Sequence, residues 1–262
     1  MKSTVKSEVK AFLKRRLAAD DAPPRPAGAV PEPARKGLLY EVDDFFNQVY
    51  DRALEVTGTL PDSVKRRERR YNLMQFFKQT ISPPVGLMVE CGCWNGLSSL
   101  VMCEYVRAQH PQFKGDGFHI FDSFEGLSGP TAADALPEKT ITELKQKFNT
   151  VTGAFSARLE DVRAALSEFP EVTYHRGWLP GSLDGLPEAK YKFVHIDVDL
   201  YEPTLGIVAY FYPRMVEGGL IICDDYGSLA YPGARRAIDE YSAAYGLLPL
   251  AISTAQAVLW KR

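Results

Sequence analysis

LMVECGCWNG, residues 87–96, is where the character of the chain changes. A short apolar run stopped by glycine has the length of a buried strand, and the residues after it keep helical spacing. The same alternation recurs downstream. GFHIFD (117–122), VTYHRG (172–177), KFVHIDVD (192–199) and GLIICDD (219–225) are further strands. Helical stretches near 96–109, 138–148, 158–168 and 203–215 separate them. Strands alternating with helices predict an α/β fold, a parallel sheet covered on both faces. The end breaks the rhythm. A helix near 233–245 leads to LLPLAI (247–252) and AQAVLW (255–260), joined through Ser253 and Thr254. That pair is expected to be antiparallel and to close the sheet.

Two helices, near 39–57 and 62–80, precede the first strand. The second carries RRERRYNLMQFFKQ (66–79), an arginine run that could bind a phosphate but whose more common meaning is a solvated helix face. Further upstream, residues 1–20 have the spacing of a short basic amphipathic helix. DAPPRPAGAVPEPARK (21–36) has the composition of an extended linker. The expected organisation is a basic segment and linker over 1–36, followed by one domain over 37–262 whose first part, about 37–85, forms a helical lid. With 262 residues, 45% of them hydrophobic, the chain can bury the core of such a domain. A net charge of −2 gives no general attraction to nucleic acid. No apolar run reaches the roughly 20 residues of a membrane span. The N-terminal residues lack an apolar signal core, so a cytoplasmic location is expected. Cys91, Cys93, Cys103 and Cys223 lie in or beside apolar segments and are expected to be free, buried thiols.

Three sites carry chemistry. Glu90, Gly92 and Gly96 form an acid followed by G-x-x-x-G, which differs from a dinucleotide fingerprint. In an open α/β sheet, ligands bind beyond the carboxyl ends of the strands. An acid there can accept from an amine or a ribose hydroxyl, although the loop can equally exist for its turn geometry. Asp122, at the tip of the second strand, is placed to accept from ribose hydroxyls; its plainer reading is a turn cap. Together the two sites suggest an adenosyl ligand. The third site is the most informative. Asp197 and Asp199 end one strand, and Asp224 and Asp225 end the next. If these strands are neighbours, four carboxylates crowd one rim; the plainer reading is salt-bridged or solvated carboxylates, but basic residues are missing nearby. Such a set calls for a hard divalent cation, an all-oxygen site suiting Mg²⁺, Mn²⁺ or Ca²⁺. His195 shares that face and is expected to pack behind the ligands.

The blocks VECGCWNGLSS, FDSFEGL, HRGW, HIDVDLYEPT and GGLIICDDY, in this order, resemble the macrocin O-methyltransferase family, from about Arg70 to the end of the chain. The resemblance implies a Rossmann-like class I methyltransferase sheet of seven strands, mostly parallel with an antiparallel last strand. It implies S-adenosylmethionine (SAM) and Mg²⁺ as cofactors and a hydroxyl of a sugar or glycosylated small molecule as acceptor. It also implies roles. Asp197, Asp224 and Asp225 match the metal ligands and Asp199 the general base. Glu90, Gly92, Asp122 and Ser123 fall on SAM-contacting motifs, and Gly177 and Trp178 on a segment near the cofactor. Asn95 stands where the family often carries Arg. Homo-oligomerisation is left open, as is the identity of the acceptor. Two other readings stand beside this one: a metal-dependent D-x-D glycosyltransferase using a nucleotide-sugar, and a non-catalytic SAM-binding module.

Overall fold

A computed structural model describes residues 37–59, 62–82, 84–135 and 152–262. The helix and linker expected over 1–36, and the helix expected near 138–148, lie outside the described residues.

Residues 38–262 form one unit built on a seven-stranded sheet. The strands are β1 (Leu87–Cys91), β2 (Phe118–Asp122), β3 (Thr173–Arg176), β4 (Tyr191–Ile196), β5 (Met215–Cys223), β6 (Leu250–Ala251) and β7 (Ala257–Trp260). Their order is β3-β2-β1-β4-β5-β7-β6. The first five are parallel, and β7 runs antiparallel between β5 and β6. The expected edge pair is therefore present, with the last strand inserted inside the shorter one. Helices α1 (Asp44–Thr57), α2 (Val64–Phe77), α3 (Leu97–Gln109) and α4 (Leu159–Ala165) contribute to the core on one face; α5 (Tyr201–Phe211) and α6 (Pro232–Tyr245) cover the other.

Strand periodicity explains this layering. Along β5, Leu220 and Ile222 enter the α1–α4 side, while Ile221 and Cys223 enter the α5–α6 side. The helices begin where local chemistry allows. The Asp43 carboxylate accepts from Phe46 N (2.9 Å) to start α1, and Gly58 ends it in the left-handed region at φ 63°. Ser63 Oγ caps α2 by accepting from Arg66 N. Phe46, Tyr50 and Ala53 form the buried stripe of α1; Leu73, Met74 and Phe77 anchor the C-terminal half of α2, with Phe77 edge-on to Phe193 at 4.8 Å. All four cysteines are free and buried, as expected.

On β2 and β3, His119 Nδ1 meets His175 Nε2 at 3.0 Å, and His175 stacks on Phe121. Burial, then the neighbouring His175, lowers the pKa of His119 from the ordinary 6.5 to about 4. A histidine depressed on folding stabilises the protein above its unfolded pKa. That contribution is lost as pH falls from 6.5 through 4. Thermal melts should therefore show a smaller loss of melting temperature between neutral and acid pH for His119→Phe than for the parent. Parallel losses would refute this account of the pair.

Candidate active site

Between β1 and β4 the direction of strand progression reverses, so the loops after these strands diverge and leave a crevice. Here the loop after β1 comes against the backbone after β4. Asp197 N donates to Cys91 O at 2.8 Å, and Gly92 sits at φ 84° with its α-carbon against the Asp197 carbonyl. A Cβ at this glycine would lie 2.0 Å from Asp197 O, so the residue is required by the close approach of two backbones. The resulting cleft, about 220 Å³, is lined by Gly92, Trp94, Asn95, Asp122, Ser123, Trp178, Asp197, Asp199 and Asp225, among others, and is walled by α1 and α2.

The first two sequence sites meet at one end of it. The Asp122 carboxylate accepts from Cys93 N (2.8 Å), Trp94 N (3.3 Å) and Phe124 N (2.7 Å). It thus ties the glycine loop to the tip of β2 while also lining the cleft. Ser123 caps the next turn, accepting from Glu125 N and donating to Gly126 O, each at 3.0 Å. Trp94 packs edge-on to Phe155, and both hold positive φ, a strained state that persists where the surroundings enforce it. Trp178 stands on the rim, 44% exposed. Gly177, at φ 155°, lies just behind Trp178 and outside the lining. Asn95 Nδ2 donates to Thr59 Oγ1 (2.6 Å), while its buried Oδ1 has no partner among the described residues. Aromatic rings beside the Asp122 and Ser123 oxygens make a surface that fits an adenosyl group.

Glu90 is not brought to the cleft surface. It is buried, with one carboxylate oxygen bonded to Ser99 and the other 2.9 Å from His195 Nδ1. His195 Nε2 faces Asp224 Oδ1 at 3.1 Å. Burial opposes charge on this imidazole, but Asp224 and Glu90 outweigh it and raise the pKa to about 10. His195 thus lies buried behind the cluster, between Glu90 and Asp224.

The four aspartates do converge. Asp197 follows His195 by two residues and Asp224 follows Ile222 by two, so both take the side of the sheet that α2 covers. Asp224 is fully buried, and Asp199 and Asp225 nearly so. Asp199 holds φ 62°. Burial, then the charges of Asp225 and Asp197, push its carboxyl well above the ordinary carboxylate range. Burial and Asp197 likewise raise Asp225 to about 7. For Asp224 burial works the same way, but Arg70 and His195 outweigh it and hold its carboxyl well below that range.

The expectation that no base lies near the cluster is wrong. The arginines come from α2, more than a hundred residues away in sequence. Arg70 bridges Asp224 Oδ2 (2.5 Å) and Asp197 Oδ2 (3.0 Å); Arg69 Nη1 lies 3.5 Å from Asp225 Oδ1. The run was read as a solvated face, but Arg66, Arg69 and Arg70 have i, i+3, i+4 spacing and line the cleft together. Arg67 turns elsewhere, to Asp51 and Asp62. That spacing was the missed signal. Gln256, which donates to Asp224 Oδ1 at 2.6 Å, had none.

Five carboxyl groups, Glu90, Asp197, Asp199, Asp224 and Asp225, meet Arg69, Arg70 and His195 here. Asp199 and Asp225 repel one another and are pushed toward the neutral form, so these oxygen donors lack counter-charge that a hard divalent cation would supply.

The sheet order, the reversed β7 and a cleft beyond β1 and β4 define a class I, SAM-dependent methyltransferase fold. The macrocin-O-methyltransferase (TylF) family model matches residues 60–262, and the chain belongs to this family of O-methyltransferases. Among similar proteins, the 8-demethyl-8-(2,3-dimethoxy-alpha-L-rhamnosyl)-tetracenomycin-C 4'-O-methyltransferase of Streptomyces olivaceus is 28% identical over 203 residues, 74% of this chain and 73% of that protein. Demethyldecarbamoylnovobiocin O-methyltransferase of Streptomyces niveus is 26% identical over 205 residues, 76% and 74% of the two chains. The solved structure of the O-methyltransferase NovP superposes with a TM-score of 0.63 at 20% identity, covering 86% of this chain and 99% of its own. Family membership displaces the glycosyltransferase reading. Among the described residues, no helix is long and apolar enough to cross a membrane.

Proposed function

We propose that this O-methyltransferase is Mg²⁺-dependent and acts on a sugar hydroxyl of a glycosylated small molecule. The observation that carries the proposal is the convergence of four aspartates, two of them without an arginine strong enough to keep them ionised, on the cleft that also holds the glycine loop. The acceptor class is supported by the relative named for a rhamnosyl substrate.

In this reading Asp197, Asp224 and Asp225 hold the ion, backed by His195 and Gln256. A divalent cation held by them would supply orientation of the acceptor and electrostatic stabilisation of its developing negative charge. SAM supplies a sulfonium-activated methyl group. Asp199 takes the hydroxyl proton, a role suited to a carboxyl whose pKa is raised. Asp122, Ser123, Trp94 and Asn95 orient the adenosyl group, with Gly177 supporting Trp178 at the rim. Glu90 contributes by fixing His195 beneath the ligands. The helices over about 37–85 serve as a lid on the 37–262 domain.

Thermal unfolding with S-adenosylhomocysteine (SAH), Mg²⁺ and both tests the cofactors. At a hundredfold excess over Kd, a native-state ligand adds about 2.7 kcal/mol. In a domain of this size that raises the melting temperature by roughly 5–10 °C. Methyl transfer to glycosylated acceptors should stop after chelation and return with Mg²⁺. Full turnover after chelation would remove the metal from the mechanism, and absence of an SAH shift would remove the proposed cofactor site.

A further inference from the structure

The position between Asp197 and Asp224 that an ion would share is spanned by a side chain of this protein. Arg70 places one guanidinium nitrogen on each carboxylate, at 2.5 and 3.0 Å, from a helix otherwise attached by different means. The C-terminal half of α2 is held by Leu73, Met74 and Phe77 in the core and by Asn72 Nδ2 donating to Thr254 Oγ1 at 3.1 Å. Its N-terminal half reaches the strand ends through Arg69 and Arg70. Two cations cannot share the same pair of oxygens without repulsion. Nor can the buried Asp224 carboxylate, beside the half-buried Asp197, be left unneutralised without cost.

We propose that Arg70 is a built-in counter-cation that holds the aspartate cluster in the metal-free protein and must withdraw for a divalent ion to bind. This rests on the metal reading above and adds a consequence to it. Withdrawal removes a tie between the N-terminal half of α2 and the sheet, and that half carries Arg66 and Arg69 on the cleft wall. Metal loading is thereby coupled to the wall facing the acceptor, and affinity for the ion is set below what the carboxylates alone would give.

The test is Mn²⁺ binding to the full chain, followed by electron paramagnetic resonance of the free ion, for the parent, Arg70→Met, Arg70→Lys and Arg67→Met. Deleting a unit charge within a few ångströms of the ion should tighten binding by about tenfold or more in Arg70→Met. Arg70→Lys keeps the charge but cannot span both carboxylates, and should fall between. Arg67→Met, whose partners are Asp51 and Asp62, should stay near the parent. Should Arg70→Met fail to fold, hydrogen exchange of the parent decides: Mn²⁺ should speed exchange over residues 64–70 and leave 73–77 unchanged. Equal or weaker binding in Arg70→Met overturns the proposal while leaving the metal site intact, as does unchanged or slower exchange over 64–70 in the parent with Mn²⁺ bound. Absence of Mn²⁺ binding in every variant overturns both the proposal and the metal reading.

Discussion

Asp199→Asn is expected to retain SAH binding and a parent-like melting temperature while losing turnover by about 10²–10⁴-fold, the range a positioned general base contributes. The reasoning is local. Asn is nearly the same size and tolerates the left-handed φ of 62° at this position, so the turn after β4 survives. What disappears is a carboxylate that accepts a proton, together with one of the mutually repelling charges around Asp225. Removing that repulsion should leave metal affinity slightly weaker or unchanged. Single-turnover methyl transfer measured beside SAH and Mn²⁺ titrations separates the two effects. Parent-like turnover in Asp199→Asn would remove Asp199 as the base.

The largest effect on stability is expected at Gly92. In Gly92→Ala the new Cβ would lie 2.0 Å from the Asp197 carbonyl oxygen and 2.7 Å from its carbon, both backbone atoms that cannot rotate away. Residue 92 also sits at φ 84°, which an L side chain adopts at a cost. Relief requires β1 and β4 to part where Asp197 N donates to Cys91 O. Overpacking and backbone strain together should cost about 2–5 kcal/mol. That corresponds to a fall in melting temperature of roughly 5–15 °C. SAH binding should fall with it, because the same loop carries Trp94 and Asn95 into the cleft. Gly92→Ala with the parent's melting temperature and SAH affinity would mean that the two backbones do not meet as described. Gly58 is an informative contrast: its φ is also positive, but open space surrounds it, so alanine there should meet only the smaller conformational cost.

The sheet was legible in the sequence because its signal is local. Five parallel strands, the antiparallel final pair, the free thiols and the four aspartates at adjacent strand ends all follow from periodicity, turn residues and order along the chain. Neighbouring strands β4 and β5 had to bring Asp197 and Asp224 to one rim once the crossover was assigned. What the sequence could not determine was which distant groups meet that rim. Whether Glu90 faces a ligand or a histidine depends on the register that sets it beside His195, and the register places it in the core. Whether Asp122 is a ligand residue or a loop cap depends on three backbone donors from two loops. Above all, the neutralisation of the aspartates by Arg69 and Arg70 depends on how α2 crosses the sheet. Helix position is decided by side-chain packing, here by Leu73, Met74 and Phe77, and not by any feature of the arginines themselves. Local pattern thus determined the elements and the acidic site. Only tertiary packing decided which charges oppose one another there, because electrostatic partners are chosen by distance in space and not by separation along the chain.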